Sequence, residues 1–252
     1  MNTLAGTIRS TLRTIRTRRG WSDDVRRQVA NYNDPFFNDL GVDRATATDV
    51  WLRTSVQLGL STSAVPSIHR LAFAALQVSG FRPRHILELG TSTGKTTLYL
   101  SALFPEATLV TVELPDSDPI YKRWHPRGRG AAENLRKPNI VPLRINTAFI
   151  EKEKLPEFDL IWLDAGHFFP EVAWDHFYCL QKLTAGGWVF SDDVRFPDNA
   201  TTRKRPETLD VWTVIEYFNA RQRDQFRFLL KREEPDSFVS DPKYIAYLQK
   251  KA

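Results

Sequence analysis

Residues 85–113 read HILELGTSTGKTTLYLSALFPEATLVTVE. His85 to Leu89 is a short apolar run of strand length with no proline. Gly90-Thr91-Ser92-Thr93-Gly94 follows as a turn with a glycine at each end. A helical pattern carrying Leu98, Leu100 and Leu103 stops at Phe104-Pro105, and a second apolar run, Thr108 to Val112, ends on Glu113. Strand, glycine turn, helix and strand with a terminal acid make a unit suited to a nucleotide-like ligand. The glycines admit close backbone approach, and the acid accepts hydrogen bonds from ribose hydroxyls.

Spacing separates three ligand classes. A phosphate-wrapping loop needs G-x-x-x-x-G-K-[ST]. Gly94-Lys95-Thr96 supplies its end, but Leu89 stands five residues before Gly94, and Gly90 is one residue too close. A dinucleotide turn needs G-x-G-x-x-G, and Ser92 occupies its second glycine. S-adenosylmethionine carries no phosphate, and it needs an open turn after the first strand and an acid ending the second. On Glu88-Leu89-Gly90-Thr91-Ser92-Thr93-Gly94 and Glu113, the chain resembles the class I S-adenosylmethionine-dependent methyltransferases, with Ser92 where that family often has its middle glycine. The resemblance implies cofactor contacts from Glu88, Gly90, Thr91, Ser92, Gly94 and Glu113.

The chain has 252 residues, 42% of them hydrophobic, with 16 Phe and 7 Trp. That is enough for one α/β domain with a real core and an N-terminal extension. The net charge of +5 resembles a nucleic-acid signal, but its distribution argues otherwise. Residues 1–20 hold Arg9, Arg13, Arg16, Arg18 and Arg19 and no acid, leaving 30 basic against 30 acidic residues elsewhere. A balanced body counts against a nucleic-acid partner. The arm itself reads as a basic amphipathic helix with Leu4, Ile8, Leu12 and Ile15 on a narrow face. It suits a surface anchor, a targeting peptide or, favoured by that narrowness, a frayed or partner-packed helix. The single cysteine, Cys179, fits a reducing compartment, hence a cytoplasmic location, and its apolar surroundings suit buried filler. No apolar run reaches the length of a membrane span.

Residues 22–80 read as helices: one capped by Ser22-Asp23-Asp24 and broken at Asn31 to Pro35, one from about Thr46 through Leu58, and one ending near Val78. Residues 114–130, with three prolines, read as a loop at the carboxyl edge of the sheet, carrying His125. A helix from Ala131 to Pro138 and a third strand, Ile140 to Ile145, follow, and Thr147 lies past that strand near the expected adenine. A second signal comes at Phe158 to Leu163, a buried strand ending on Asp164-Ala165-Gly166-His167. After a helix from Pro170 to Leu183 and a turn at Thr184 to Gly187, the strand Trp188-Val189-Phe190 ends on Ser191-Asp192-Asp193. Parallel strands present their carboxyl ends together, so Asp164, Asp192 and Asp193 converge. Three carboxylates without a local basic partner repel one another, which raises their pKa values or calls for a cation, and oxygen ligands suit Mg²⁺.

D-A-G-H followed by G-G-W-V-F-S-D-D resembles the metal-dependent O-methyltransferases, the catechol-type enzymes and those acting on natural-product sugars. The resemblance implies a divalent metal on Asp164, Asp192 and Asp193, with Asp164 also at the cofactor and His167 as general base. It further implies a Rossmann-like sheet of seven strands, mostly parallel, with helices on both faces. Phe226 to Leu230 and Tyr244 to Leu248 would form an antiparallel edge hairpin. We expect residues 1–80 as a helical extension or lid and 81–252 as the S-adenosylmethionine-binding domain. The expected activity is Mg²⁺-assisted methylation of a hydroxyl on a small acceptor, a sugar, catechol or other natural product. The N-terminal helices are a candidate self-association surface. Arg195, Arg203, Lys204 and Arg205, in the loop 195–208, are either contacts for an anionic acceptor or a solvated loop. Two other classes stay open: a nucleotide-hydrolysing ATPase or GTPase built on Gly94-Lys95-Thr96, and a non-catalytic S-adenosylmethionine-binding protein.

Overall fold

The computed structural model describes residues 27–62, 68–124, 131–197, 203–233 and 242–251. The basic arm, the Ser22 cap and His125 lie outside them. Seven strands form one sheet: β1 (His85–Leu89), β2 (Thr108–Glu113), β3 (Ile140–Arg144), β4 (Phe158–Leu163), β5 (Leu183–Val194), β6 (Arg227–Leu230) and β7 (Tyr244–Gln249). Their order is β3-β2-β1-β4-β5-β7-β6. β1 to β5 pair in parallel, and β7 lies antiparallel between β5 and β6.

The central strands are apolar on both faces because both faces are covered. On one side Ile86, Leu160, Trp162 and Phe190 pack against three helices, α1 (Asp34–Asp39), α2 (Arg44–Gln57) and α3 (Ile68–Val78). Phe36 of α1 meets Tyr247 edge-on at 5.0 Å, and Phe73 of α3 meets Trp162 edge-on at 5.6 Å. On the other side Leu87, Leu89, Ile161 and Leu163 pack against α6 (Glu171–Lys182) and α7 (Asp210–Asn219), with Cys179 buried among them. The N-terminal helices therefore share a core with the sheet. Asn33 ties them to its far edge: its Oδ1 accepts the Leu230 N–H at 2.7 Å, and its amide donates to the Leu230 carbonyl at 3.3 Å. An edge strand that would otherwise present open backbone groups is thereby covered.

Several elements depart from the sequence expectation. Asn31 to Pro35 does not end a helix. A π-helical turn, Val29–Asn33, runs into α1, whose first turn holds Pro35 where the missing N–H costs nothing. The stretch 131–138 holds no α-helix, only a 3₁₀ turn at Ala131–Glu133. Asn134 is diverted to tertiary work, donating to the Thr93 carbonyl at 2.7 Å. In the stretch read as loop, α5 (Pro119–Trp124) forms behind Asp118, whose Oδ1 accepts the Ile120 N–H at 2.7 Å. β5 begins at Leu183 rather than Trp188, because the Gly186 N–H donates to the Lys250 carbonyl at 2.7 Å and prolongs the pairing with β7.

Candidate active site

The chain proceeds outward from β1 to β2 and β3, then returns to the other side of β1 with β4. The crevice where that direction reverses lies at the carboxyl ends of β1 and β4, the usual ligand position in open α/β sheets. Gly90 and Asp164 meet there. The Asp164 N–H donates to the Leu89 carbonyl at 2.8 Å. Gly90 has φ +96°, and a Cβ on it would lie 2.1 Å from the Asp164 carbonyl oxygen. Only glycine fits that crossing.

A cavity of about 560 Å³ opens at this point. One wall is the glycine turn and β2: Gly90, Ser92, Val112, Glu113 and Leu114. Ile120 and Tyr121 of α5 close one side, and Ile145, Asn146 and Thr147 after β3 close another. The opposite wall runs from Asp164 through His167 to Glu171 and Asp175. Glu113 is held by the backbone: its Oε2 accepts the Ser92 N–H at 2.8 Å and its Oε1 the Leu114 N–H at 3.1 Å. Ser92 reaches that contact with φ 51°, the left-handed conformation a glycine would take freely. This arrangement fits S-adenosylmethionine: a fixed carboxylate for the ribose and an apolar slot beside it.

Of the residues assigned to the cofactor from sequence, Gly90, Ser92, Glu113, Thr147 and Asp164 line the cavity. Glu88, Thr91 and Gly94 lie behind the wall. Glu88 is fully buried, and its Oε2 accepts the Thr97 and Thr111 hydroxyls. The Thr111 hydroxyl in turn meets that of Thr91 at 2.7 Å. Burial pushes the Glu88 carboxyl up to about 8, against the two threonine hydrogen bonds and with help from Asp164 and Glu113. Gly94 starts α4 (Lys95–Leu103) in the left-handed conformation, packed on Asn134 and Leu135. Lys95 is exposed and not part of the cavity wall. The glycine–lysine–threonine run therefore builds a helix start against neighbouring chain, which disfavours the nucleotide-hydrolysing alternative.

His167 lines the cavity with its Nε2 3.6 Å from Asp164 Oδ1. Burial pushes its pKa down, but the hydrogen bond it donates to Asp164 and the nearby carboxylates of Asp193, Asp164 and Asp192 outweigh this and hold it above its ordinary value. A second histidine, His176 on α6, is a core group. Its Nδ1 meets the Val172 carbonyl at 2.7 Å and its Nε2 the Ser191 hydroxyl at 3.0 Å, and burial takes it down to about 4. It pins the strand residue just before Asp192.

Asp192 and Asp193 sit where β5 bulges against β7, between Ser191 and Val194, with Asp193 at φ 56°. The expectation that these carboxylates lack a basic partner fails. Lys231 Nζ donates to Asp192 Oδ2 and to Asp193 Oδ1, both at 2.6 Å, and Lys243 Nζ donates to Asp193 Oδ2 at 2.7 Å. Burial, with Asp164 nearby, lifts Asp192 to about 7; for Asp193 the burial effect is overcome by Lys231 and Lys243, which hold it well below the usual range. Among the described residues, no group of three or more His, Cys, Asp or Glu side chains is arranged to hold a metal ion. The donor set assigned to Mg²⁺ thus does not fit the ion as it stands, since an ammonium bridges two of its three members. Lys231 and Lys243 escaped the sequence reading, although their positions beside β6 and β7 carry a signal. β6 ends, and β7 begins, opposite Val194 at this same edge.

Residues 87–194 match a family described as a methyltransferase domain. No curated protein matches the chain in sequence. Among solved structures, the O-methyltransferase TomG of Streptomyces achromogenes, in complex with S-adenosylmethionine, aligns with TM-score 0.55 at 16% identity over 82% of this chain and 90% of that one. An O-methyltransferase of Bacillus cereus aligns with TM-score 0.54 at 19% identity over 82% and 91%. The methyltransferase PaMTH1 of Podospora anserina aligns with TM-score 0.53 at 18% identity over 82% and 88%. Residues 87–194 thus resemble a methyltransferase domain, and the chain carries the fold of these solved methyltransferases.

Proposed function

We propose that the protein methylates a hydroxyl of a small-molecule acceptor. The observation that carries this reading is the shape of one cavity: Glu113 fixed on one wall by two backbone amides, and the Asp164–His167 pair on the other. Bound S-adenosylmethionine would supply an electrophilic methyl group. Glu113 would accept from the ribose hydroxyls, and the Gly90 crossing would let backbone approach the ligand without a side chain between them.

The residues on the far wall supply the base. His167 Nε2 faces Asp164 Oδ1, so a carboxylate orients the ring and stabilises the charge gained when the imidazole accepts a proton. An acceptor hydroxyl within reach of His167 would lose its proton as the oxygen gains the methyl group. The walls hold the two reactants close and aligned, and such positioning can contribute about 7–11 kcal/mol to a barrier. The acceptor class is supported by the wall composition. Ile120, Tyr121, Ile145 and Phe168 make it largely apolar, with a few converging polar groups, which suits a small organic molecule.

The test uses the full chain with radiolabelled S-adenosylmethionine and a panel of catechols, polyols and sugars. We expect label transfer to at least one hydroxylated acceptor, abolished in His167→Ala, with donor binding retained by calorimetry. Donor binding without transfer to any acceptor would favour a non-catalytic binding protein. Undiminished transfer in His167→Ala would remove the base assignment.

A further inference from the structure

The carboxylate cluster at the end of β5 already contains cations, and they are part of the chain. Lys231 Nζ lies 2.6 Å from one oxygen of Asp192 and 2.6 Å from one oxygen of Asp193. Lys243 takes the other oxygen of Asp193 at 2.7 Å. These lysines do not reach in loosely from solvent. The Lys231 side chain is 15% exposed, and its backbone is fixed on both sides. The Lys231 N–H donates to the Lys243 carbonyl at 2.9 Å, and its carbonyl accepts the Ile68 N–H at 2.9 Å. One helix start and the residue before β7 thus hold the Lys231 backbone, and the β5 bulge meets its ammonium.

Space and charge both oppose a divalent ion there. Magnesium needs oxygen ligands at about 2.0–2.1 Å in near-octahedral order. An ammonium hydrogen-bonded to Asp192 and Asp193 together fills the gap between them, and its charge repels a second cation. The formal count agrees. Asp164, Asp192 and Asp193 bring three negative charges, and Lys231 and Lys243 return two of them. The residual charge is within reach of ordinary hydrogen bonding, whereas three bare carboxylates would not be.

We infer that Lys231 stands in this protein where the resembled enzymes hold a divalent metal, gathering Asp192 and Asp193 so that the site needs no bound metal ion. The inference rests on the methyltransferase reading of the cavity, but it concerns binding as well as turnover. Lys231 acts as a positioning residue: it holds the β5 bulge and its carboxylates in place beside Asp164 and His167. Lys243 supports it from the other side of Asp193.

Two measurements on the full chain test this, one of which needs no acceptor. The first is Mn²⁺ titration followed by electron paramagnetic resonance, on wild type, Lys231→Met and Lys243→Met. We expect no stoichiometric Mn²⁺ binding to wild type and saturable binding to Lys231→Met, where Asp192 and Asp193 lose their bridging ammonium. The second is methyl transfer with and without chelator. Wild-type turnover should be insensitive to chelation, while Lys231→Met should lose roughly tenfold or more and recover in part on adding Mg²⁺. Stoichiometric Mn²⁺ binding by wild type, or chelator-sensitive turnover restored by Mg²⁺, would overturn the inference. Should Lys231→Met fail to fold, the wild-type titration and Lys243→Met still decide it. Wild type that binds no Mn²⁺ and shows no turnover on any acceptor, with or without Mg²⁺, would sink the proposed activity and leave the cation assignment supported.

Discussion

Glu88 offers the sharpest test of how the glycine turn is built. The side chain is fully buried beneath the turn, with one oxygen accepting two threonine hydroxyls and the other, Oε1, without a hydrogen-bond partner. Burial pushes its carboxyl from 4.5 up to about 8, so the folded protein carries it protonated at neutral pH. The sign of the linkage follows. A raised carboxyl contributes stability that is fully present below about pH 4.5 and is lost as pH climbs towards about 8. Each unit within that window costs ~1.4 kcal/mol, which makes the loss at pH 7 about 3 kcal/mol. Glu88→Gln keeps the shape and removes the titration. Seating the amide costs about 1 kcal/mol, so the variant should be more stable than wild type by ~2 kcal/mol at pH 7. For a chain of this size that is roughly a 4–8 °C rise in Tm. Thermal unfolding of both proteins from pH 4.5 to 8.5 would show wild type ahead by less than about 1 kcal/mol at the acid end, a crossing between about pH 5 and 6, and the variant increasingly ahead above it. Parallel curves, or a Gln variant less stable than wild type at pH 7, would mean that the buried carboxyl is ionised.

Three further outcomes are expected. Gly90→Ala places a Cβ 2.1 Å from the Asp164 carbonyl oxygen at a φ of +96°, so it should cost more than ~3 kcal/mol in denaturant unfolding and abolish donor binding by calorimetry. Glu113→Ala removes the acceptor of the Ser92 and Leu114 amides together with the ribose partner, and should weaken donor binding by roughly 10–100-fold while the melting profile changes little. His167→Ala should lower methyl transfer by about 10²–10⁴-fold. In wild type, kcat/KM should rise with pH through an apparent pKa above the ordinary 6.5 of an imidazole, because the surrounding carboxylates favour the charged ring.

The first half of the site was legible because its causes are local. Buried parallel strands read as unbroken apolar runs, and the glycine turn after β1 belongs to the β1–α4–β2 unit, although what fixes Gly90 itself, Asp164, lies across the sheet. The Asp164–His167 pair was legible for the same reason, as the short turn after β4 holds both. Expectation failed where a residue's duty is tertiary. Ala131 to Arg136 has the composition of a helix, yet Asn134 is drawn to the Thr93 carbonyl and Gly94 packs on its Cβ. Residues 114–130 look like a loop because of their prolines, yet Asp118 and Pro119 together make a helix start. That helix brings Ile120 and Tyr121 to the cavity, at the carboxyl edge where the stretch was expected, but as a helix.

The carboxylate cluster shows the same division at the level of charge. Reading along the chain, the one cation beside Asp192 and Asp193 is Arg195, which belongs to the next loop, and a metal was the natural way to balance them. The balance is instead made across the sheet. β7 runs antiparallel between β5 and β6, so its first residue, Tyr244, faces both Val194 and Leu230. That register places the residue after β6, Lys231, and the residue before β7, Lys243, beside the β5 bulge. Nearly forty positions separate Lys231 from Asp193, yet 2.6 Å separates their charged atoms. The edge hairpin is thus more than the closing element of the sheet. It determines which cation the aspartates meet, and a change in its register by one residue would turn both lysines away and leave the carboxylates to solvent or to a metal.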